Sequence, residues 1–390
     1  MAPLIAIIGG GPSGLTLARL LECNGMDYIV YERNGSSDSH DHQGGTLDIH
    51  GATGQEALRH GGLSEEFENM ARRDATTAQI ADMTGKHLLN FGEGRDAPEI
   101  DRAQLRAILL KSIPTDKIQW NKVVHKVERD AQGKVDIFFL DGSSAGGFGL
   151  VVGADGAWSK VRHLLTSTKP KYSGKSYIEG KISLDNPIYP KLEAKVGRGS
   201  LIAFGPNKNL AAQQMSDGSY RIYLGVTVAE DFFIDGNANV DLSANDGAQA
   251  RQFFLSSNDY YAEWATEFKE IIANCEHGFR NWPLFYLPPE SLIWEHDSQV
   301  TLIGDAAHLS TPFVGEGVNC SMYDALVLAE KLKEHGTGSG LDRAVEEYEK
   351  DMFKRGRDLI ERSMGSGDLL FANNAPKTLV QVIQSNSSLW

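Results

Sequence analysis

Three glycines near the start of the chain have the spacing of a phosphate-binding turn. They belong to a Gly-x-Gly-x-x-Gly segment, whose residues include Gly9, Gly11, Pro12, Ser13 and Gly14. Such glycines permit a tight turn and a close approach of the backbone to a pyrophosphate, and a helix that starts there directs N–H groups at the phosphates. Glu32 follows at close to the distance of about 20 residues at which a carboxylate binds a ribose. The pattern favours a dinucleotide site over a purely structural turn with a solvated Glu32.

Two later segments place small and acidic residues directly after apolar runs. Gly304-Asp305 follows one such run, and an aspartate at a strand end suits a ribose or ribityl hydroxyl. The helix start that comes next offers backbone N–H groups to a flavin ring edge, and its residues include Pro312, Gly315, Gly317, Val318 and Asn319. Asp155-Gly156 fits either an ordinary turn or a further nucleotide contact. For His308, a structural imidazole is favoured over a catalytic one.

Apolar periodicity indicates the elements that carry these residues. Leu4 to Ile8 predicts a short buried strand, and the helical period over residues 15–21 predicts a helix that ends at Gly25. Residues 28–31 predict a second strand, so that the chain opens with a βαβ unit. Each motif therefore follows a predicted strand, as a nucleotide-binding turn requires.

The rest of the chain shows other patterns. Short apolar segments between residues 172 and 228 predict antiparallel strands with one face open to a pocket, and residues 246–275 are helical by pattern. Residues 300–303 predict another buried strand, and helices are predicted over about 317–333 and 341–370. The polar content of the last helix favours a role in bridging two domains, and a monomer.

Composition limits the class of protein. Hydrophobic residues make up 41% of the 390 residues and charged residues 23%, the balance of a folded globular chain. The formal net charge of −14 argues against nucleic acid or an anionic membrane as a partner, and no apolar stretch predicts a membrane span. Three widely spaced cysteines fit a reducing compartment, and no signal peptide is visible, so a cytoplasmic protein is expected.

The three motifs together, in this order, resemble the single-component flavoprotein aromatic monooxygenases of the p-hydroxybenzoate hydroxylase type. The segments GGTLDIHGATGQEAL (44–58), PEIDRAQLRAILL (98–110) and GDAAHLSTPFVGEGVNCSMYDALVL (304–328) are also similar to the tetracycline-inactivating members of that group. The resemblance implies an α/β fold with a Rossmann-like FAD-binding domain, an antiparallel-sheet substrate domain and a long C-terminal helix. The predicted boundaries are 1–171 with 276–335 for FAD, 172–275 for substrate and 336–390 for the bridging helices.

The resemblance also assigns roles to individual residues. Those expected to contact FAD beyond the glycine turn are Glu32, Arg33, Leu47, Asp48, Arg102, Asp155 and Asp305, together with Pro312, Gly315, Gly317, Val318 and Asn319. For Arg102 a surface arginine at a helix start is the alternative, and for Asp48 a loop cap. The substrate is expected between the antiparallel sheet and the flavin, and the candidate contacts are Glu179, Phe204, Met215, Tyr220, Tyr223 and Phe313. Core packing is the alternative for each of the apolar and aromatic ones.

Several positions depart from the pattern of the family. Asp41 stands where the family carries an arginine implicated in binding the nicotinamide cofactor, and His40, His42 or Arg33 are the alternatives. The Gln, Arg and His that contact tetracyclines are not matched, because Glu179, Ser200 and Tyr223 fall near those places. Glu316 replaces the usual glutamine of Gly-Gln-Gly. These departures weaken the expectation of a tetracycline substrate without affecting that of flavin binding.

The resemblance implies a complete catalytic cycle. The chain has one dinucleotide fingerprint, and the family docks NADPH transiently against the FAD domain. Reduced FAD then reacts with O₂ to give a C4a-hydroperoxide, whose distal oxygen attacks an electron-rich carbon of an aromatic or polycyclic enol, a tetracycline among them. No catalytic side chain is needed, because the cofactor carries the chemistry.

Three other interpretations stay open. One is a hydroxylase of a simple phenol or a fused-ring polyketide. Another is a flavin halogenase, which is disfavoured because Trp282 and Trp294 form no Trp-x-Trp-x-Ile-Pro segment. The third is a non-catalytic binding protein of the same fold.

Overall fold

The computed structural model describes residues 4–36, 44–234, 238, 240–244 and 246–385. The strands in these residues are β1 (Ile5–Ile8), β2 (Tyr28–Tyr31), β3 (Thr46–Asp48), β4 (Ala78–Asp82), β5 (His87–Phe91), β6 (Glu99–Asp101), β7 (Ile118–Gln119), β8 (Val124–Arg129), β9 (Val135–Phe139), β10 (Ser144–Ala145), β11 (Leu150–Gly153), β12 (Lys171–Ile182), β13 (Ser200–Gly205), β14 (Lys208–Gln214), β15 (Tyr220–Thr227), β16 (Glu276–Tyr286) and β17 (Val300–Leu302). The helices are α1 (Pro12–Cys23), α2 (Gly54–His60), α3 (Ser64–Glu68), α4 (Arg102–Lys111), α5 (Tyr189–Val196), α6 (Ala248–Ser256), α7 (Thr266–Ala273), α8 (Asp305–His308), α9 (Gly317–His335), α10 (Leu341–Leu370) and α11 (Ala375–Ser385).

The chain divides into two compact units, each built from several segments. The first unit comprises Met1–Ala71, Arg102–Lys171 and Phe285–Ser363. The second comprises Arg72–Asp101, Tyr172–Leu284 and Met364–Trp390.

A parallel sheet forms the centre of the first unit. Its strand order is β17-β11-β1-β2-β7, and every pair in it is parallel. The strand β1 is almost completely buried, as expected for a short apolar run in a parallel sheet. The helix α1 follows it and packs against α4 and α9. The predicted βαβ opening is therefore present in the structure.

The parallel direction of these strands places four loops at one edge of the sheet. The carboxyl ends of β1, β2, β11 and β17 lead into the glycine turn, Glu32, Asp155 and Asp305. Ligands of open α/β sheets bind in the crevice outside these strand ends.

A mostly antiparallel sheet forms the centre of the second unit. Its strand order is β16-β12-β15-β14-β13-β4-β5, and the pair β13–β4 is parallel. One face of this sheet packs on α5, α6 and α7 through a buried core that includes Ile178, Leu201 and Phe254. The unit extends beyond the predicted 172–275, because β4 and β5 pair with the sheet and bring residues 72–101 into it.

The helical regions agree with the predictions in position. Residues 246–275, which are helical by pattern, contain two helices, α6 and α7. The predicted long helix is α10, which has the predicted bounds of residues 341–370. Within the described residues, every helix is too short or too polar to cross a lipid bilayer.

Candidate flavin site

Two glycines of the first motif are required by close packing within the protein. Gly9 has φ +110°, and a Cβ built on it would lie 2.3 Å from the carbonyl oxygen of Ala154, after β11. A Cβ on Gly14 would lie 2.0 Å from the carbonyl oxygen of Gly9 and 3.2 Å from the Ala154 side chain. The first and third glycines therefore let the turn lie directly against the loop that contains Asp155.

Gly11 differs from Gly9 and Gly14 because the position that its Cβ would occupy is open. No atom of the described residues approaches within 4 Å of a Cβ built there, and its φ of −82° suits any residue. Gly11 is also the N-cap of α1, where no described side chain caps the helix. An open cradle beside uncapped helix N–H groups fits a pyrophosphate.

Glu32 lies beside this cradle at the end of β2. The residue is 6% exposed, and its carboxylate accepts hydrogen bonds from the backbone N–H of Gly10 at 2.5 Å and from that of Asn34 at 2.9 Å. Each oxygen keeps a lone pair after these bonds, so the group can still accept a ribose hydroxyl. The next residue, Arg33, is exposed.

Asp155 is committed to its own loop. Its carboxylate accepts the hydroxyl of Ser159 at 2.5 Å and the backbone N–H of Lys160 at 2.7 Å. Desolvation raises the pKa of Asp155, although these bonds favour its charged form. The buried Arg162 donates to the carbonyl oxygen of Ala306 at 3.0 Å and so ties this loop to the one after β17. The Asp155 side chain thus has a role in loop structure, and its nucleotide contact stays a prediction.

Asp305 begins α8 beside the glycine turn. The preceding Gly304 has φ +61°, and a Cβ on it would lie 2.8 Å from the hydroxyl of Ser321 and 3.2 Å from that of Ser13. Protein atoms surround Asp305 densely enough that desolvation raises its pKa, yet its side chain remains exposed in the crevice. Such an acid is suited to accept hydrogen bonds from the hydroxyl groups of a ligand that enters there.

Positive groups near Asp305 lower its pKa in opposition to desolvation. They are His308, Arg102 and Arg162. The Arg102 side chain also passes close to Gly44, with its Nε 3.7 Å from the position of a Cβ on that residue. The structure therefore brings the predicted Arg102 and Asp305 into the same electrostatic environment.

A buried ionic cluster supports the loop that carries Asp305. Asp324 on α9 accepts the backbone N–H of Gly304 at 2.9 Å and a hydrogen bond from Arg355 Nη2 at 2.9 Å, and pairs with His308 Nε2 at 2.5 Å. Burial alone would raise the pKa of Asp324, but His308, Arg355 and the Gly304 N–H lower it. Burial alone would lower the pKa of His308, but Cys320 and Asp324 raise it well above its ordinary value.

This cluster bears on how His308 is interpreted, and only part of it was predicted from the sequence. A structural imidazole agrees with the hydrogen bond to Asp324. Asp324 and Arg355 were missed, although an acidic residue at a buried position of α9 is a signal that the apolar spacing could have revealed.

The strand β3 and the start of α9 are fastened together. The side-chain amide of Asn319 donates to the carbonyl oxygen of Asp48 at 2.8 Å and accepts the backbone N–H of His50 at 2.8 Å. The Asp48 carboxylate contacts His50 Nε2 at 3.0 Å and lies 3.3 Å from the position of a Cβ on Gly315. Leu47 is buried. The Asn319 side chain thus holds β3 against the start of α9, and the contact of Asn319 with the cofactor stays a prediction.

The loop before α9 is anchored by α10 at two points. Arg362 binds both carboxylate oxygens of Glu316, through Nη1 at 2.8 Å and Nη2 at 2.6 Å. The buried Ser363 hydroxyl donates to the carbonyl oxygen of Thr311 at 2.5 Å. Pro312 starts a short 3₁₀ turn in this loop, and Gly317 and Val318 are the first residues of α9. Arg362 and Ser363 had no distinguishing sequence signal.

The predicted substrate residues separate into distinct groups. Glu179 and Tyr223 face each other across the β12–β15 pair, and Tyr223 points to the face opposite the core. Tyr220 was wrongly included, because it belongs to the buried core on the other face and its hydroxyl donates to the Gly197 carbonyl oxygen at 2.6 Å. An odd separation along a strand reverses the face of the side chain.

The other three candidates are buried outside that core. Phe204 lies in β13 and is 2% exposed, whereas Met215 lies in the turn between β14 and β15. Phe313 belongs to the first unit, in the short turn before Gly315. Of the residues named for the nicotinamide, His40, Asp41 and His42 lie outside the described residues.

The arrangement defines a dinucleotide-binding unit in which an open glycine cradle, Glu32 and Asp305 follow neighbouring parallel strands. These residues fit FAD, because the cradle offers N–H groups to a pyrophosphate and the two acids, at either side of it, offer oxygens to hydroxyl groups. The chain belongs to the FAD binding domain family, whose model matches residues 3–189 and 293–363.

Curated relatives align with nearly the whole chain. The monooxygenase penA of Penicillium thymicola is 30% identical over 98% of this chain and 98% of its own length. An FAD-dependent urate hydroxylase of Klebsiella pneumoniae is 26% identical over 93% of this chain and 89% of its own length. The prediction of an FAD-dependent monooxygenase is confirmed at this level.

Solved structures have the same fold. Klebsiella pneumoniae HpxO, crystallised with FAD and uric acid, superposes with a TM-score of 0.78 over 98% of this chain and 93% of its own, at 24% identity. The tetracycline destructase Tet(51) superposes with a TM-score of 0.69 over 99% and 98%, at 18% identity. The predicted fold class is confirmed, and the likeness to the tetracycline-inactivating enzymes is one of fold.

Proposed function

We propose that this protein hydroxylates an aromatic or heteroaromatic substrate, with FAD as its bound cofactor and NADPH or NADH as electron donor. The balanced reaction inserts one atom of O₂ into a carbon–hydrogen bond and releases the other as water, while NAD(P)H is oxidised to NAD(P)⁺. The observation that carries the proposal is the open cradle at Gly11 beside Glu32 and Asp305, in a chain of the FAD binding domain family.

The cofactor supplies the activation of O₂ when it is bound. The chain's own residues hold it: the glycine turn and Glu32 bind the ADP half, Asp305 binds the ribityl chain, and Asp48 with the Gly315–Gly317 loop borders the ring. Their anchors are internal, since Asn319 fixes β3 and Asp324 fixes Gly304. Such fixed positions align cofactor and substrate without a reorganisation cost at the moment of reaction.

Substrate recognition is assigned to the face of the second unit's sheet that is turned away from its core. Glu179 accepts a hydrogen bond from Trp282 Nε1 at 2.7 Å and pairs with Arg221 Nη1 at 3.3 Å. Tyr177 and Tyr223 stand edge to face with ring centroids 5.9 Å apart. A carboxylate beside aromatic rings favours a planar ring that carries an N–H or O–H donor.

Relatives support a ring of this kind. Their names include a urate hydroxylase and a 3-amino-4-hydroxybenzoate 2-monooxygenase, both acting on rings with N–H or O–H groups. A tetracycline or another polycyclic enol is the second candidate, favoured by the segments quoted from the sequence and by the fold of Tet(51).

The test begins with the purified protein. It should carry a flavin absorbance band, and its oxidation of NADPH should be stimulated by the correct ring class among urate, 4-hydroxybenzoate and tetracycline. Product formed under ¹⁸O₂ should gain one labelled oxygen atom. A colourless protein that does not take up added FAD would refute the proposal, and product labelled from water would refute the reaction.

A further inference from the structure

An ion pair between Glu316 and Arg362 holds the loop that we propose to border the flavin ring. Glu316 stands between Gly315 and Gly317 and is the N-cap of α9. Arg362 of α10 grips both of its oxygens, and also donates from Nε to Asp358 at 2.7 Å. The hydrogen bonds that Arg362 donates to Glu316 raise the pKa of Arg362 above its already high ordinary value, so the guanidinium stays charged.

The next residue of α10 anchors the other end of the same loop. Ser363 donates to the Thr311 carbonyl oxygen, and its hydroxyl lies 2.7 Å from the Thr311 hydroxyl. Both side chains are buried. Two consecutive residues of one helix therefore fix the segment from Thr311 to Glu316 at both ends.

The charge of Glu316 matters because of where it lies. The N-terminus of a helix carries a partial positive charge, which favours nearby anions. An isolated carboxylate at the N-cap of α9 would cancel this effect for any group bound at the ring edge. The bidentate contact with Arg362 neutralises the carboxylate, whereas Asp358, 64% exposed, is screened by solvent.

We propose that the Glu316–Arg362 pair sets the electrostatic potential at the flavin ring edge and thereby the midpoint potential of the bound FAD. The inference rests on the proposed function, which assigns the Gly315–Gly317 loop to that edge. Both residues act as positioning residues, through the charge that they leave on the loop and through the loop geometry that they fix.

Two single substitutions should move the midpoint potential in opposite directions. Glu316→Gln leaves Arg362 with excess positive charge, which stabilises the more negative, reduced cofactor and raises the potential. Arg362→Gln leaves the Glu316 charge uncompensated and lowers it. The charge effect at a helix end changes the ratio of the affinities for reduced and oxidised FAD about two- to fivefold, or about 10–20 mV for a two-electron couple. The double variant should return close to the wild-type potential.

Three further variants separate charge from folding. Glu346→Gln removes an exposed carboxylate of the same helix that pairs with Lys350 at 2.7 Å, and should leave the potential unchanged. Ser363→Ala loosens the loop without a change of charge, so the charge argument predicts no shift of the potential in this variant. Arg362→Lys keeps the charge and should restore most of the wild-type potential, even where Arg362→Gln folds poorly.

The potentials are measured on the FAD-loaded proteins by equilibration with a reference dye, together with the absorbance spectrum of the bound flavin. Shifts of the same sign in Glu316→Gln and Arg362→Gln, or shifts no larger than that of Glu346→Gln, would overturn the inference. A wild-type protein that binds no FAD would instead refute the proposed function, so the two failures are distinguishable.

Discussion

Replacing Gly11 with alanine separates the ligand role of the glycine turn from its packing role. The new Cβ would meet no atom of the described protein within 4 Å, and the backbone at φ −82° accepts any residue. The unfolding free energy of the apoprotein should therefore change by no more than about 1 kcal/mol, the difference between glycine and alanine at an N-cap. If a pyrophosphate occupies the cradle, the methyl group overpacks it by about 1–3 kcal/mol, which weakens FAD binding roughly 5- to 150-fold.

Gly14→Ala is the matched control for this experiment. Its Cβ would lie 2.0 Å from the Gly9 carbonyl oxygen, so the turn must move even without ligand. The apoprotein should lose about 1–3 kcal/mol, although alanine favours the helix by about 1 kcal/mol. Urea unfolding of apoprotein and titration of FAD by flavin fluorescence measure the two quantities. A Gly11→Ala protein that binds FAD with wild-type affinity would refute the placement of the pyrophosphate.

Three further results are expected. Asp305→Asn should weaken FAD binding about 10-fold or more, since a hydrogen bond to a charged acceptor contributes about 1.5–3 kcal/mol, and equal affinity in titrations would exclude its role. Tyr220→Phe should cost about 1 kcal/mol of stability in urea and leave turnover unchanged, whereas Tyr223→Phe should alter the KM for substrate; the reverse outcome would contradict the assignment of faces. The folded pKa of His308 is raised, so its pairing with Asp324 stabilises the protein fully below about pH 6.5 and less as the pH rises through the folded value. The stability difference between wild type and His308→Gln should therefore shrink from pH 6 to pH 9, and a constant difference would argue against a charged imidazole.

The parts of the site that were predictable from sequence depend on local rules. The glycine turn, its strand and its helix are contiguous, so the requirement for small residues, the apolar run and the helical period all fall within the first 25 residues. Glu32 and Asp305 are recognisable because each follows a buried strand directly. In a parallel sheet that position alone brings them to one edge.

Side-chain partners were not predictable in the same way. Asp155 and Asn319 have residue types that suit a cofactor contact, and in the fold those groups bond to Lys160 and to the backbone of Asp48 and His50. The choice between a ligand and a backbone partner depends on which backbone groups the fold leaves nearby. No spacing within a single segment contains that information.

For the two tyrosines of β15, the sequence alone permitted the inference that they lie on opposite faces of the sheet. Tyr220 and Tyr223 lie three positions apart on a continuous strand, and successive side chains alternate between faces. They could not both line one face. Tyr220 lies on the face with the more apolar neighbours, which is the face that packs in the core. The inclusion of residues 72–101 in that sheet was harder to foresee, because β4 joins β13 in parallel from a distant part of the chain.

The long helix contributes more to the site than its polar composition indicates. Arg355, Arg362 and Ser363 lie on α10 within the first unit, and they reach Asp324, Glu316 and Thr311 respectively. Through these contacts one helix supports the backbone at Gly304, before Asp305, and the loop before α9. A polar helix face thus has a structural reason besides solvation: its charged and hydroxyl groups are the partners of carboxylate and carbonyl oxygens that an apolar face would leave unsatisfied. Substitutions on α10 are therefore expected to act on flavin binding even though none of these three side chains belongs to a recognisable cofactor motif.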